Sequence, residues 1–145
     1  MNAIEQVQIR ATKAVDGFNQ LTYEERLRKL DLPTLAHRRK RGDMIEVFKH
    51  ATVYDKSSLP SSMRFRNRPS RKHNFPIVRT EAADGILGQQ RNSFYFRTAS
   101  TWKKLPRTVA ESTTVDAFKQ NIDTFWVNDP TRLSFDSKPY HHPNE

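Results

Sequence analysis

The sequence contains no cysteine, which excludes disulfide bonds, cysteine-ligated zinc and thiol catalysis. Glycine is scarce, at 4 of 145 residues, and apolar side chains make up 35%, below the roughly 45–50% of an ordinary globular chain. That shortage argues against a large enzyme core and for one small domain or two halves. No apolar run approaches the ~20 residues needed to cross a bilayer, and Met1-Asn2-Ala3-Ile4-Glu5-Gln6 lacks the charged-then-apolar order of a secretory leader. The expectation is an intracellular protein, nuclear or cytoplasmic, with no membrane partner.

Acidic side chains are also missing from one part of the chain. The formal net charge is +9, with 25 Lys and Arg against 16 Asp and Glu. Residues 1–55 hold 10 basic and 8 acidic side chains, residues 56–107 hold 12 and 2, and residues 108–145 hold 3 and 6. The middle third carries the whole excess, and such a stretch favours a polyanion partner.

Hydrophobic spacing gives a helical reading. Ile4, Val7, Ala11, Ala14, Val15 and Phe18 recur at steps of three and four, with Glu5, Gln6, Gln8, Arg10 and Lys13 between them, and Gly17 offers a stop. Thr22 to Glu25 has the form of a capping box, predicting a short helix with Leu27 and Leu30 that Pro33 closes. Thr34 is placed to cap a third helix running to about Thr52, with Leu35, Ile45, Phe48 and Thr52 or Ala51 on one side. Gly42 inside that helix marks either a close approach by a ligand or another backbone, or a simple imperfection.

From Lys56 to about Asn74, serine and proline lie among basic residues with little periodicity, which reads as an extended linker. Phe75 to Thr80 has the composition of a short strand, but one strand makes no sheet. A second helical region starts near Asn92 or Ser93, with Tyr95, Ala99, Trp102 and Leu105 on one face and Pro106 at its end. Thr113, with Asp116 three residues on, predicts the cap of a last helix carrying Val115, Phe118, Ile122, Phe125 and Trp126. The expected fold is all-α. A three-helix unit occupies 1–54, a basic linker with at most one short strand 55–90, a helical pair 91–128, and a disordered tail 129–145.

Arg64, Arg66 and Arg68 alternate with Phe65 and Asn67, and Arg71, Lys72 and Arg79 follow with no acid before Glu81. In an extended chain the three arginines share one side, a row of cations matching a phosphate backbone, while Phe65 stacks on a base or packs on protein. Arg38, Arg39, Lys40 and Arg41, after His37, form a second basic cluster, for which ion pairs to Glu24, Glu25 or Asp43 are the competing use. No Gly-rich phosphate loop, G-x-S-x-G or H-E-x-x-H motif is present. His141-His142 reads as an exposed tail rather than a metal site, and Tyr95, Trp102, Phe118, Phe125 and Trp126 as a small core rather than a cofactor pocket. No catalytic residue, metal or cofactor is expected.

Three stretches, taken together, resemble the C-terminal part of reverse transcriptases from animal non-long-terminal-repeat retrotransposons. Val7 to Lys13 is similar to that family's V-Q-R-R-A-T-K helix. Leu21 to Leu35, continuing through Arg38-Arg39 and Arg41 to Lys49, is similar to its L-S-Y-E-E-R-L-K-K-L-G-L-P-T-L-E-Y-R-R-x-R-G-D-L-I-E-V-Y-K segment. Asn92 to Arg97, Trp102 to Pro106 and Ser112 to Lys119 follow in the family's order, so the resemblance covers about residues 3–126. Lys103 and Lys104 replace the usual Asn-Ser, and Asp31 stands where Gly is common.

The resemblance implies a thumb-like helical unit with a C-terminal extension of an RNA-directed DNA polymerase. Its metal-binding palm aspartates would lie upstream, and this sequence has no Asp-Asp pair. It thus implies a non-catalytic fragment that binds template–primer RNA or DNA through sugar–phosphate contacts, alongside the palm of a parent polymerase. Lys103 and Lys104 join the two basic clusters as expected contacts. The alternative is a stand-alone protein-interaction module from a domesticated or truncated reading frame.

Overall fold

The computed structural model describes residues 3–54, 63–66, 74–79 and 94–133. They form α1 (Ala3–Lys13), α2 (Tyr23–Leu30), α3 (Leu35–Thr52), β1 (Met63–Phe65), β2 (Ile77–Arg79), α4 (Phe94–Lys104), α5 (Arg107–Ala110) and α6 (Val115–Phe125), followed by a 3-10 turn at Pro130–Arg132. The described residues are all-α apart from one two-stranded antiparallel sheet. Two compact units divide it: the first joins residues 1–39 to 126–145, and the second is the continuous stretch 40–125.

In the first unit, the capping box of α2 forms as its sequence dictates. The Glu25 N–H donates to Thr22 Oγ1 at 3.3 Å, and the Thr22 N–H donates back to Glu25 Oε2 at 2.7 Å. Hydrogen bonds from the Thr22 hydroxyl and N–H hold the Glu25 carboxyl below the usual carboxylate range. At the other end Asp31 takes a left-handed φ of 49°, and the Leu32 N–H donates to Leu27 O at 3.0 Å. Glycine enters that conformation at least cost, and here an aspartate takes it.

The buried face of α1 is the reverse of its apolar stripe. Ile4 is 63% and Val7 66% exposed, whereas Glu5 is fully buried and Thr12 nearly so. The Glu5 carboxylate accepts from the Tyr23 hydroxyl at 2.6 Å and from the Leu35 and Ala36 N–H groups at 3.3 Å each. Thr34 completes the end of α3, its Oγ1 accepting from the His37 N–H at 3.1 Å. The first three amides of α3, which have no partner within the helix, are thereby all satisfied. That requirement draws a carboxylate inward and turns the aliphatic side chains of α1 out.

Gln8 supports this arrangement by donating to Pro33 O at 3.0 Å, while Trp126 meets His37 edge-on at 5.6 Å between ring centres. Residues 129–133, assigned by sequence to a disordered tail, are ordered. The Thr34 N–H donates to Arg132 O at 2.8 Å, and its hydroxyl donates to Thr131 O at 2.9 Å. The remainder of that expected tail, 134–145, lies outside the described residues.

The second unit has an aromatic core. Phe48 stacks on Phe118 at 4.4 Å, Trp102 leans on Phe118 at 6.1 Å, and Met44, Val47, Leu105, Val109 and Ile122 are buried with them. Met44 and Val47 thus take core positions where the spacing argument had favoured Leu35 and Ile45, which are half-buried. Of the expected aromatic stripe, Phe125 is 46% exposed, and Trp126 belongs to the first unit. The cap of α6 is Thr114 rather than Thr113, its Oγ1 accepting from the Ala117 N–H at 3.1 Å.

The expected single strand acquires a partner from within the presumed linker. Arg64 pairs with Val78 and Phe65 with Ile77, and the Trp102 indole N–H donates to Phe75 O at 2.7 Å beside the sheet. Among the described residues nothing lies within 4 Å of where a Gly42 side chain would begin, so none of their backbone approaches it closely, and the glycine costs α3 about 1 kcal/mol against alanine.

Candidate nucleic-acid interface

A cation that a carboxylate already holds is less available to a polyanion, so the basic residues divide by their partners. Arg41 is held: its Nε and Nη2 donate to the two carboxylate oxygens of Asp123 at 2.6 and 2.8 Å. This hydrogen bonding raises the Arg41 pKa further. Arg97 is held in the same forked manner, donating to both oxygens of Asp43 at 2.5 and 3.0 Å, with Asp43 mostly buried. Forked guanidinium–carboxylate pairs are among the strongest charge-assisted hydrogen bonds, and both of these brace the second unit.

The sequence reading offered Arg41 as a phosphate contact and Asp43, Glu24 or Glu25 as competing anions. The actual partner is Asp123, 82 residues away, and Asp43 pairs with Arg97 instead. Glu24 pairs with Arg28 at 2.5 Å, one helical turn on. Long-range pairing of this kind leaves no mark in local spacing, for Arg97 as for Arg41.

Arg38 and Arg39 remain on the first unit, both exposed near the start of α3. Steps of about 100° per residue point them to different sides of the helix. Neither has a carboxylate within ion-pair distance among the described residues, and Lys40, next on the helix, is half-buried.

On the second unit, Arg64 and Arg66 are exposed and flank a half-buried Phe65 on β1. Cross-strand partners share a face, so Phe65 lies on the side of buried Ile77 while Arg64 lies with Val78 on the other. Phe65 is thus half-buried on the Ile77 side of the sheet, and Arg64 and Arg66 share the opposite side. Lys103 and Lys104 are exposed in the last turn of α4, where the helix dipole favours positive charge and gives them a local structural use as well.

Arg68, Arg71 and Lys72, the rest of the expected interface, lie outside the described residues, as do His141 and His142. Among the described residues no group of three or more metal-binding side chains comes together, and no helix is long and apolar enough to cross a membrane. Compared with known proteins, the chain matches no family model, no curated protein and no solved structure.

Proposed function

We propose that this chain is a non-catalytic C-terminal piece of a retrotransposon-type reverse transcriptase that binds template–primer nucleic acid through its sugar–phosphate backbone. The supporting observation is the division of its cations. Arg41 and Arg97 are paired with Asp123 and Asp43, while Arg38, Arg39, Arg64, Arg66, Lys103 and Lys104 stand exposed with no carboxylate partner among the described residues. Cations left unneutralised on a chain of net charge +9 release counterions when they meet phosphates, which is the main source of sequence-independent affinity.

The same reading makes the chain intracellular, nuclear or cytoplasmic, with a polymerase palm as its protein partner. It assigns no catalytic residue and no cofactor. Guanidinium and ammonium groups that meet phosphates fix position along a duplex without reading bases.

Binding of the full chain to an RNA–DNA hybrid at about 50 mM and about 200 mM salt tests this reading. The expected affinity falls steeply with salt. Arg64→Glu with Arg66→Glu weakens it and flattens the salt slope, and Arg41→Ala leaves the slope unchanged. Affinity that is absent at low salt, or that ignores salt, would sink the proposal.

A further inference from the structure

The geometry points to the outward stripe of α1 as a docking surface for an apolar helix of a partner protein that is edged with carboxylates. The inference is independent of the nucleic-acid reading. Val7 is 66%, Ile4 63% and Val15 40% exposed, with Ala11 and Ala14 exposed between them. The Ala14 N–H still donates to Arg10 O at 3.2 Å, so the stripe continues one step beyond the last helical residue.

Positions 4, 7, 11 and 14 alternate steps of three and four, the spacing of a seam along which two helices pair. The side chains on it are short or β-branched, which lets a second helix backbone come close. Nothing on the opposite side of α1 releases this stripe to turn inward, because Glu5 and Thr12 are buried there in hydrogen bonds to Tyr23, α3 and the α1 backbone.

Charge selects among occupants. The exposed charged residues of α1 are Arg10 and Lys13, and its one carboxylate, Glu5, is buried. The next acid, Asp16, comes after the helix has ended. At 100° per residue Arg10 borders the seam while Lys13 lies farther round the helix, and a partner helix with glutamate or aspartate beside its apolar seam complements the Arg10 edge. A second copy of this chain would bring another Arg10 to that edge, with no exposed helical carboxylate to meet it. A bilayer surface is a poorer fit, since helices that lie in lipid carry tryptophan, phenylalanine or leucine on the apolar face, and this stripe carries none.

The test uses the full chain and two labelled synthetic helices of about three heptads with the same leucine seam, one flanked by glutamate and the other by lysine. The glutamate-flanked helix is expected to bind at least about tenfold more tightly than its lysine twin, since about 1.4 kcal/mol separates a tenfold difference. Val7→Asp, at a solvent-facing position, should abolish that binding while leaving the circular dichroism spectrum unchanged. Arg10→Glu should reverse the preference between the two helices.

Failure of the glutamate-flanked helix to bind, equal binding of both, or binding that survives Val7→Asp overturns the inference. So does a wild-type dimer that Val7→Asp separates. Flotation with anionic phosphatidylserine vesicles that Val7→Asp abolishes would likewise assign the stripe to lipid and overturn it.

Discussion

The two units solve the same problem with different chemistry. The second buries Phe48, Trp102, Phe118, Leu105 and Ile122, and rings stack at its centre. The first buries Leu27 and Trp126 but also Glu5, Thr12, Arg26, Thr34 and His37, and its centre is a carboxylate shared by a phenol and two helix amides. An apolar core tolerates small shifts because dispersion and burial have no direction. A hydrogen-bonded core does not, since each buried group left without a partner costs about 1–3 kcal/mol. One unit therefore depends on volume and the other on placement.

Truncating the aromatic core should have the largest effect. Phe118→Ala removes a fully buried ring that contacts both Phe48 and Trp102, and is expected to cost about 3–5 kcal/mol, read as faster amide hydrogen exchange across α4 and α6. A loss below about 1 kcal/mol would mean the second unit does not rest on that stack.

Glu5→Ala should follow at about 2–3 kcal/mol, with the faster exchange confined to α1, α2 and the start of α3. It adds an apolar side chain to a helix and deletes a charge, so a reading based on hydrophobicity alone would expect stabilisation. Loss of protection at the Leu35 and Ala36 amides is the decisive observation.

Much of the second unit was legible in the sequence, and the reason lies in its chemistry. Ala99, Trp102, Leu105, Phe118 and Ile122 recur at helical spacing and are buried, because where the core is apolar the spacing of apolar residues reports it directly. In the first unit the same logic finds α1 and its period but assigns the wrong face. Nothing in the spacing of Ile4, Val7 and Ala11 reveals that the start of α3 needs an acceptor more than the core needs valine. The caps of α2 and α3 were legible because capping is local. The forked Arg41–Asp123 and Arg97–Asp43 pairs were not, because their partners are 82 and 54 residues apart. The pairing of β1 with β2 was missed because three-residue strands give too short an alternation to register.

The smallest of the three effects separates the units by pH. Burial, with the hydrogen bond to Glu5 second, raises the Tyr23 pKa well above its ordinary value near 10. An unfolded Tyr23 ionises near pH 10 while the folded one keeps its proton. Its contribution is thus intact below about pH 10 and lost as pH rises toward the folded value. Protection of the first unit should fall above about pH 10 in the wild type, and more gently in Tyr23→Phe. The variant itself should lose about 1–2 kcal/mol at neutral pH from the missing hydrogen bond. Identical alkaline profiles for the two proteins would contradict this role of Tyr23.

The hydrogen bonds from Thr34 to Thr131 and Arg132 span 97 and 98 residues and close the first unit with the far end of the chain. During synthesis the N-terminal helices leave the ribosome first, yet Trp126 and the turn at Pro130–Arg132 are made more than 70 residues after α3 ends. At about 5–20 residues per second the first unit waits several seconds for its last parts, while the second, continuous in sequence, has all of its own residues earlier. The segment translated first is therefore the one completed last, and a chain stopped after Phe125 would hold a full second unit beside a first unit missing the segment that meets Thr34 and His37.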